Sequence, residues 1–289
     1  MYELFHQILT GLSQGGIYGG LALGLVMVYR TTHHVNFAQG EFAMFSTFLA
    51  LTLIQAGFSY WSAFFLTIAI SFAGGMAVER IVIRPFHQAS ALTLVCVFMG
   101  LLMVTNATAG WLFGYTMQPF PSPFSDAFAL GGFIPAHEAG TILLVALMLL
   151  LIYLFFRFTW LGLAMRATAE NGESSALVGI NVGAMLALGW GLATGIGAVA
   201  GMMAAPIVFV DPNMMSGVLV YAFAAALLGG IDNPWGAAIS GFIVGVVENI
   251  AGAYLVGTEL KLTLALAIIV GVLLIRPRGI WGRSFVTRV

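Results

Sequence analysis

Charge is what this chain has least of. Only 7% of its 289 residues are Asp, Glu, Lys or Arg, while 61% are hydrophobic; soluble domains carry roughly 25% charged residues. So few charges cannot cover a solvated surface, which excludes a soluble globular protein and a large soluble domain, and leaves a polytopic membrane protein. The formal net charge is −1, so nothing global points to nucleic acid. Cysteine occurs once, as Cys96. A lone thiol makes neither an internal disulfide nor a cysteine-based metal site, and its apolar run predicts a small buried side chain. MYELFHQ at the start has an acid and no Lys or Arg, so no cleavable signal is expected. There is no Walker lysine motif, HExxH, serine elbow or CxxC, so the chain is not expected to hydrolyse ATP by a Walker site, to hold a metal or cofactor, or to carry catalytic residues. His6, His33, His34, His87 and His137 all fall near expected membrane edges, and the adjacent His33 and His34 are poorly placed for one ion.

Hydrophobic runs are what is present. A span takes about 20 apolar residues, and runs lie near 8–29, 37–56, 60–78, 90–113, 139–157, 183–209, 217–230, 236–257 and 261–276. The expected fold is all-α: a polytopic transmembrane helix bundle of about nine segments (eight to ten), in one domain over 1–289. The second and seventh runs are Gly-rich, polar at one end or short, and read as broken or re-entrant helices. With the first span running outside to inside, Arg30, Arg80, Arg84, Arg157, Arg166, Arg276, Arg278, Arg283 and Arg288 share one side and only Lys261 lies on the other. By the positive-inside rule the basic side is cytoplasmic. An odd number of spans preserves that pattern.

Glycine is abundant and patterned. Gly11, Gly15 and Gly19, and Gly16, Gly20 and Gly24, repeat every four residues, and Gly191/Gly195, Gly197/Gly201 and Gly241/Gly245 do the same. Such spacing makes a flat helix face that another backbone can approach closely. The polar residues in or beside the runs include Gln14 in the first, Asn36, Gln39 and Glu41 at the start of the second, Thr105, Asn106 and Thr108 in the fourth, and Glu248 and Asn249 in the eighth. A carboxylate in hydrocarbon costs roughly 2.5–3.5 kcal/mol on the insertion scale, so Glu41 and Glu248 should face protein or water. These are the candidates for a solute pathway. The bland alternatives are an interfacial cluster around Glu41 and a hydrogen-bonded structural acid at Glu248. Pro119, Pro121, Pro123 and Pro135 make 115–137 an extended outer loop. Its Phe120, Phe124 and Phe128 suggest contact with the membrane surface or an outside partner.

The stretch least like membrane is 161–182, LGLAMRATAENGESSALVGINV, on the basic side. Asn171 can cap a helix whose first turn holds Glu173. Ala176, Leu177 and Val178 carry its apolar face, Gly179 suits a left-handed C-terminal cap, and Asn181 can cap the next span. The element reads either as a docking helix for a soluble partner or as a capped surface loop. Arg166, Ala167, Ala169, Asn171, Ala176, Gly179, Ile180 and Asn181 resemble the cytoplasmic coupling-helix segment of branched-chain amino acid type ABC importer permeases. VNFAQGEFAM (35–44), FAAALLGGIDNPWGAAISGFIVGVVE (223–248) and RPRGIWG (276–282) are similar to other stretches of that family, in the same order.

The resemblance implies a permease subunit and not an enzyme, in a bacterial inner membrane. Cytoplasmic ATP-binding subunits, a second related or identical permease subunit and a periplasmic substrate-binding protein would be its partners. ATPase coupling would fall to Arg166, Asn171, Glu173, Ala176, Leu177 and Gly179. Spans without basic residues near their middles suit a small neutral or zwitterionic solute: a branched-chain amino acid, urea or an amide, or another small organic compound. An ion-coupled secondary transporter that protonates Glu41 or Glu248 is the alternative, and an intramembrane enzyme is a third, weaker one.

Overall fold

The computed structural model describes residues 2–32, 34–87, 89–124, 128–129 and 134–282. His33, Arg283 and Arg288 therefore lie outside the described residues. Eleven α-helices carry nearly all of the described chain: α1 Tyr2–Thr32, α2 Gln39–Gln55, α3 Tyr60–Val78, α4 Ala91–Phe113, α5 Ala136–Phe158, α6 Trp160–Glu170, α7 Gly172–Leu177, α8 Val182–Val208, α9 Met214–Gly229, α10 Pro234–Ala251 and α11 Lys261–Ile275. Each expected apolar run coincides with one helix. Six stretches (Glu3–Thr32, Tyr60–Phe86, Ala91–Phe113, Ala136–Phe158, Val182–Val208 and Pro234–Leu255) are long and apolar enough to cross a membrane; Met214–Gly229 and Lys261–Ile275 are shorter. A two-residue antiparallel ladder pairs Phe128 with Pro135 and Ala129 with Ile134 in the outer loop.

Local chemistry sets most boundaries. Ser59, Ser90, Thr159, Asn171, Asn181 and Asn233 cap α3, α4, α6, α7, α8 and α10 by accepting a first-turn N–H. Gly230, at φ 105°, ends α9. The α1 and α10 helices run antiparallel at very close range. A Cβ added at Gly15 would lie 2.7 Å from the Gly241 carbonyl oxygen and from the Phe242 Cα; one at Gly11 would meet Val246 and one at Gly19 the Ala238 carbonyl. Two glycine faces that the sequence shows separately thus form one seam. In the same way α8 uses Gly191 against Phe72 of α3 and Gly201 against Ala43 of α2. The core lies around α1, α2, α8 and α9, with Leu21, Met44, Phe48, Met202, Met203 and Trp190 fully enclosed.

The α3, α4, α5 and α11 helices lie at the outside of the bundle. Leu92, Met99 and Met103 of α4 are exposed, as is Cys96 on the same face. The expectation of a buried Cys96 is thereby corrected: lipid tails are as apolar as a core, so an apolar run does not say which way a side chain faces. Phe120 is also corrected. It is buried in the main core cluster and is not free for a partner.

Two short helices begin inside the bundle. After α1 ends at Thr32, the chain turns back. Gln39 lies against Gly24, about two turns short of the end of α1, and its Nε2 donates to the Ala193 carbonyl of α8 at 2.8 Å. From there α2 rises to Gln55, which reaches Gln118 of the outer loop. Gly40 faces Met215 and Leu219 of α9, so α2 and α9 start side by side. The α9 helix descends to the basic end, where the Leu228 and Gly229 carbonyls accept from Ile280 and Trp281. No side chain caps either α2 or α9 at its start.

Candidate functional site: an exposed helix pair and two polar clusters

The stretch 161–182 is two helices, where the sequence suggested one. Arg166, Ala167 and Ala169 sit on α6, an element the sequence reading passed over. Its inward face is Gly162, Ala164, Met165 and Thr168, a helical spacing that was legible but consists mainly of small residues. Arg166 is exposed and borders a cleft with Arg30, Pro234 and Trp235. Asn171 then caps α7, its Oδ1 accepting from Ser174 N at 2.9 Å. Glu173 is exposed in the first turn. Gly179 has φ 86°, the left-handed conformation that glycine alone enters without cost, and Asn181 Oδ1 accepts from Ala184 N at 3.0 Å. The apolar side of α7 does not pack on its own chain: Leu177 is 88% and Val178 76% exposed, Ala176 is exposed, and Ser175 is the residue turned inward. An apolar helix face between two caps is thus left uncovered by the described residues of the chain.

The polar residues of the spans separate into two clusters. In the first, half-buried Glu41 of α2 accepts from Asn106 Nδ2 of α4 at 3.2 Å, and the same amide donates to the Pro212 carbonyl in the turn between α8 and α9 at 2.8 Å. Asn36 and Gln39 are fully enclosed behind them, and Asn36 Nδ2 and Gln39 Oε1 find no hydrogen-bond partner among the described residues. Nearby, a mainly apolar groove of about 310 Å³ between α2, α3 and α4, walled by Phe42, Phe45 and Ile70, has Ser46, Ser71, Thr105 and Thr108 in its lining. The second cluster joins α1, α9, α10 and α11. Glu248 accepts from Tyr18 Oη at 2.9 Å and lies 3.5 Å from Lys261 Nζ. Lys261 also donates to Asn249 Oδ1 at 3.0 Å, and Asn249 Nδ2 donates to the Gln7 carbonyl at 2.8 Å. Tyr18 stacks on Tyr221 with centroids 4.8 Å apart. Glu248 and Asn249 are both buried. Gln14 belongs to neither cluster; its amide oxygen is buried and finds no partner among the described residues.

The Lys261 pairing was not foreseen, since Lys261 reads simply as the one cation on the far side. Removing it by Lys261→Met leaves Glu248 buried without its counter-charge. We expect a loss of about 3 kcal/mol, seen as a lower melting temperature in detergent, with most of it recovered in Lys261→Met/Glu248→Gln. A double variant as unstable as the single one would show that packing of the lysine stem, not charge, is what counts.

A third polar contact was also missed. Glu79 in the π-helical turn Glu79–Ile83 is fully buried and accepts from Arg84 Nη2 at 2.7 Å and Nε at 3.3 Å. The five-residue interval in ERIVIR is the signal that could have revealed it. Among the described residues no group of three His, Cys, Asp or Glu side chains could hold a metal ion.

Comparison with known proteins gives a consistent result. Residues 7–273 match the family model described as branched-chain amino acid transport system / permease component. The chain is 30% identical to the high-affinity branched-chain amino acid transport system permease protein LivH of Escherichia coli K12, over 98% of this chain and 97% of LivH. It is 28% identical to the corresponding protein BraD of Pseudomonas aeruginosa, over 100% of this chain and 99% of BraD. Among solved structures, PsaBC from Streptococcus pneumoniae in complex with Fab aligns with a TM-score of 0.51 at 14% identity, covering 93% of this chain and 91% of that one, a likeness of fold alone.

Proposed function

We propose, from the premise that this chain belongs to the branched-chain amino acid ABC permease family, that it forms half of the membrane pathway of an ATP-driven importer for small zwitterions with apolar side chains. Such permeases are transport components and not enzymes, and they act with ATP-binding and substrate-binding partners. The observation that carries the proposal is α7: a capped helix at the basic end whose apolar side chains, Leu177 above all, are exposed. A cytoplasmic ATPase seats there. Closure of the ATPase pair moves α6 and α7 as a unit and switches the pathway between inward-open and outward-open states.

The pathway runs along the face where α2, α4 and the start of α9 meet, opposite a second permease subunit, related or identical. Glu41 and Asn106 supply its polar contacts, and half-buried polar groups at that depth need water or protein beside them. Asn36 and Gln39 stand behind this face and come into play if the start of α2 shifts. We assign Glu248 and Asn249 to structure, because their polar atoms are paired within the chain; a proton-carrying role for Glu248 has no support from that geometry. The nine helices at the nine apolar runs cross or enter a bacterial inner membrane with the N-terminus outside, where a periplasmic binding protein delivers the solute. Relatives named for branched-chain amino acids support L-leucine and its analogues as substrates over urea or amides.

The test is a mild-detergent pull-down of the tagged chain from its native membrane, followed by uptake of labelled L-leucine in proteoliposomes. We expect ATP-binding subunits and a permease to co-purify, and ATP-dependent uptake that unlabelled valine competes away. A chain that purifies alone and takes up solute on a proton gradient would overturn the reading.

A further inference from the structure

The coupling element needs a mechanical link to the outer helices, and the structure contains a candidate at the beginning of α8. Arg84 follows the π-helical turn at the end of α3. Besides its two hydrogen bonds to buried Glu79, its Nη2 donates to the Gly183 carbonyl at 2.7 Å. Gly183 is in the first turn of α8, two residues after the cap Asn181. The guanidinium lies flat on it: a Cβ at Gly183 would stand 3.3 Å from Arg84 Cζ. His87 Nε2 is 3.5 Å from the other Glu79 oxygen, so both carboxylate oxygens are held. The turn is anchored in the core through fully buried Ile83, packed in one cluster with Trp190 of α8.

We propose that Arg84 is the positioning residue that transmits motion of the α6–α7 element to α3, by tying the start of α8 to Glu79. This rests on α7 being the ATPase seat. A planar guanidinium suits the role because its fork grips a carboxylate and a carbonyl together. Were the contact only a neutraliser for Glu79, the Gly183 carbonyl would not be part of it. The same contact lies between α3 and the α6–α7 element whichever end moves first, so breaking it is expected to weaken the stimulation of the ATPases by a loaded binding protein as well as import.

The test uses the whole importer in proteoliposomes, with labelled L-leucine as the probe, measuring import and ATP hydrolysis together. In Arg84→Gln, and in Gly183→Val, which keeps the ion pair and pushes the guanidinium off the carbonyl, the complex should assemble and hydrolyse ATP at the unstimulated rate. Stimulation by the loaded binding protein and import should both fall about ten-fold, within the range of ordinary coupling energies. If Arg84→Gln does not assemble because Glu79 loses its guanidinium, Glu79→Gln/Arg84→Gln removes both charges, and the same loss is expected from it. The swap Glu79→Arg/Arg84→Glu should restore assembly but not coupling, since a carboxylate cannot donate to the Gly183 carbonyl. Full stimulation and import in Gly183→Val and in the double neutral variant, or recovery of coupling in the swap, would overturn the proposal. Leu177→Asp separates the two levels. If it releases the ATPases while Gly183→Val behaves as wild type, the link alone fails; if the ATPases stay bound and active, the seat fails with it.

Discussion

Gly15→Leu yields no assembled permease. The α1–α10 seam has no room for a single Cβ at this position, because the Gly241 carbonyl and the Phe242 backbone stand 2.7 Å from where it would be. Leucine adds four carbons there, so the two helices must part along their length. Overpacking a well-packed site costs about 1–3 kcal/mol and occasionally more, against a total stability on the order of 5–15 kcal/mol. Within a bilayer no hydrophobic driving force compensates, because helix association rests on close van der Waals contact. Separation of α1 from α10 would also pull Gln7 from Asn249 and Tyr18 from Glu248. The measurement is the yield of monodisperse protein after detergent extraction. Gly100→Leu is the control, since nothing lies within 4 Å of a Cβ at Gly100, and it should purify like wild type. Normal yield of Gly15→Leu would mean that the seam is looser than the structure has it.

Leu177→Asp should purify normally and lose at least about thirty-fold of its transport. With 88% of its surface exposed, Leu177 contributes little to the fold of its own chain, so replacing it leaves the bundle intact. Burial of a leucine against a partner is worth about 2 kcal/mol, which corresponds to roughly thirty-fold in a rate or an affinity. An unpaired carboxylate at a dry interface adds to the loss. Co-purified ATPase and L-leucine uptake are the two readouts. Loss of both with a normal elution profile fits α7 as the seat; wild-type uptake would make α7 a surface turn. Leu177 is a cleaner probe than Ala176 or Gly179, because a side chain at Gly179 also strains a backbone held at φ 86°.

The sequence alone determined the class of this molecule. Its scarcity of charge leaves only a membrane as solvent, and its apolar runs mark the helices, because both follow from the local composition of each segment. The caps at Asn171, Gly179 and Asn181 were legible for the same reason: a cap is made by residues within a turn of one another. Distant partnerships had to await the tertiary structure. The glycine ladders announced close approach without saying that Gly15 meets Gly241, since a flat face carries no label for its partner. Two carboxylates looked equivalent in sequence, each an acid in an apolar run. Packing separates them: Glu41 lies half-buried beside Asn106 on an outer face, whereas Glu248 is closed in by Tyr18 and Lys261 from elements far along the chain. The direction in which Cys96 faces and the hold of Arg84 on Gly183 were likewise decided by packing. An apolar or charged residue fixes its own cost in a membrane, but only the neighbours that the fold brings to it decide how that cost is met.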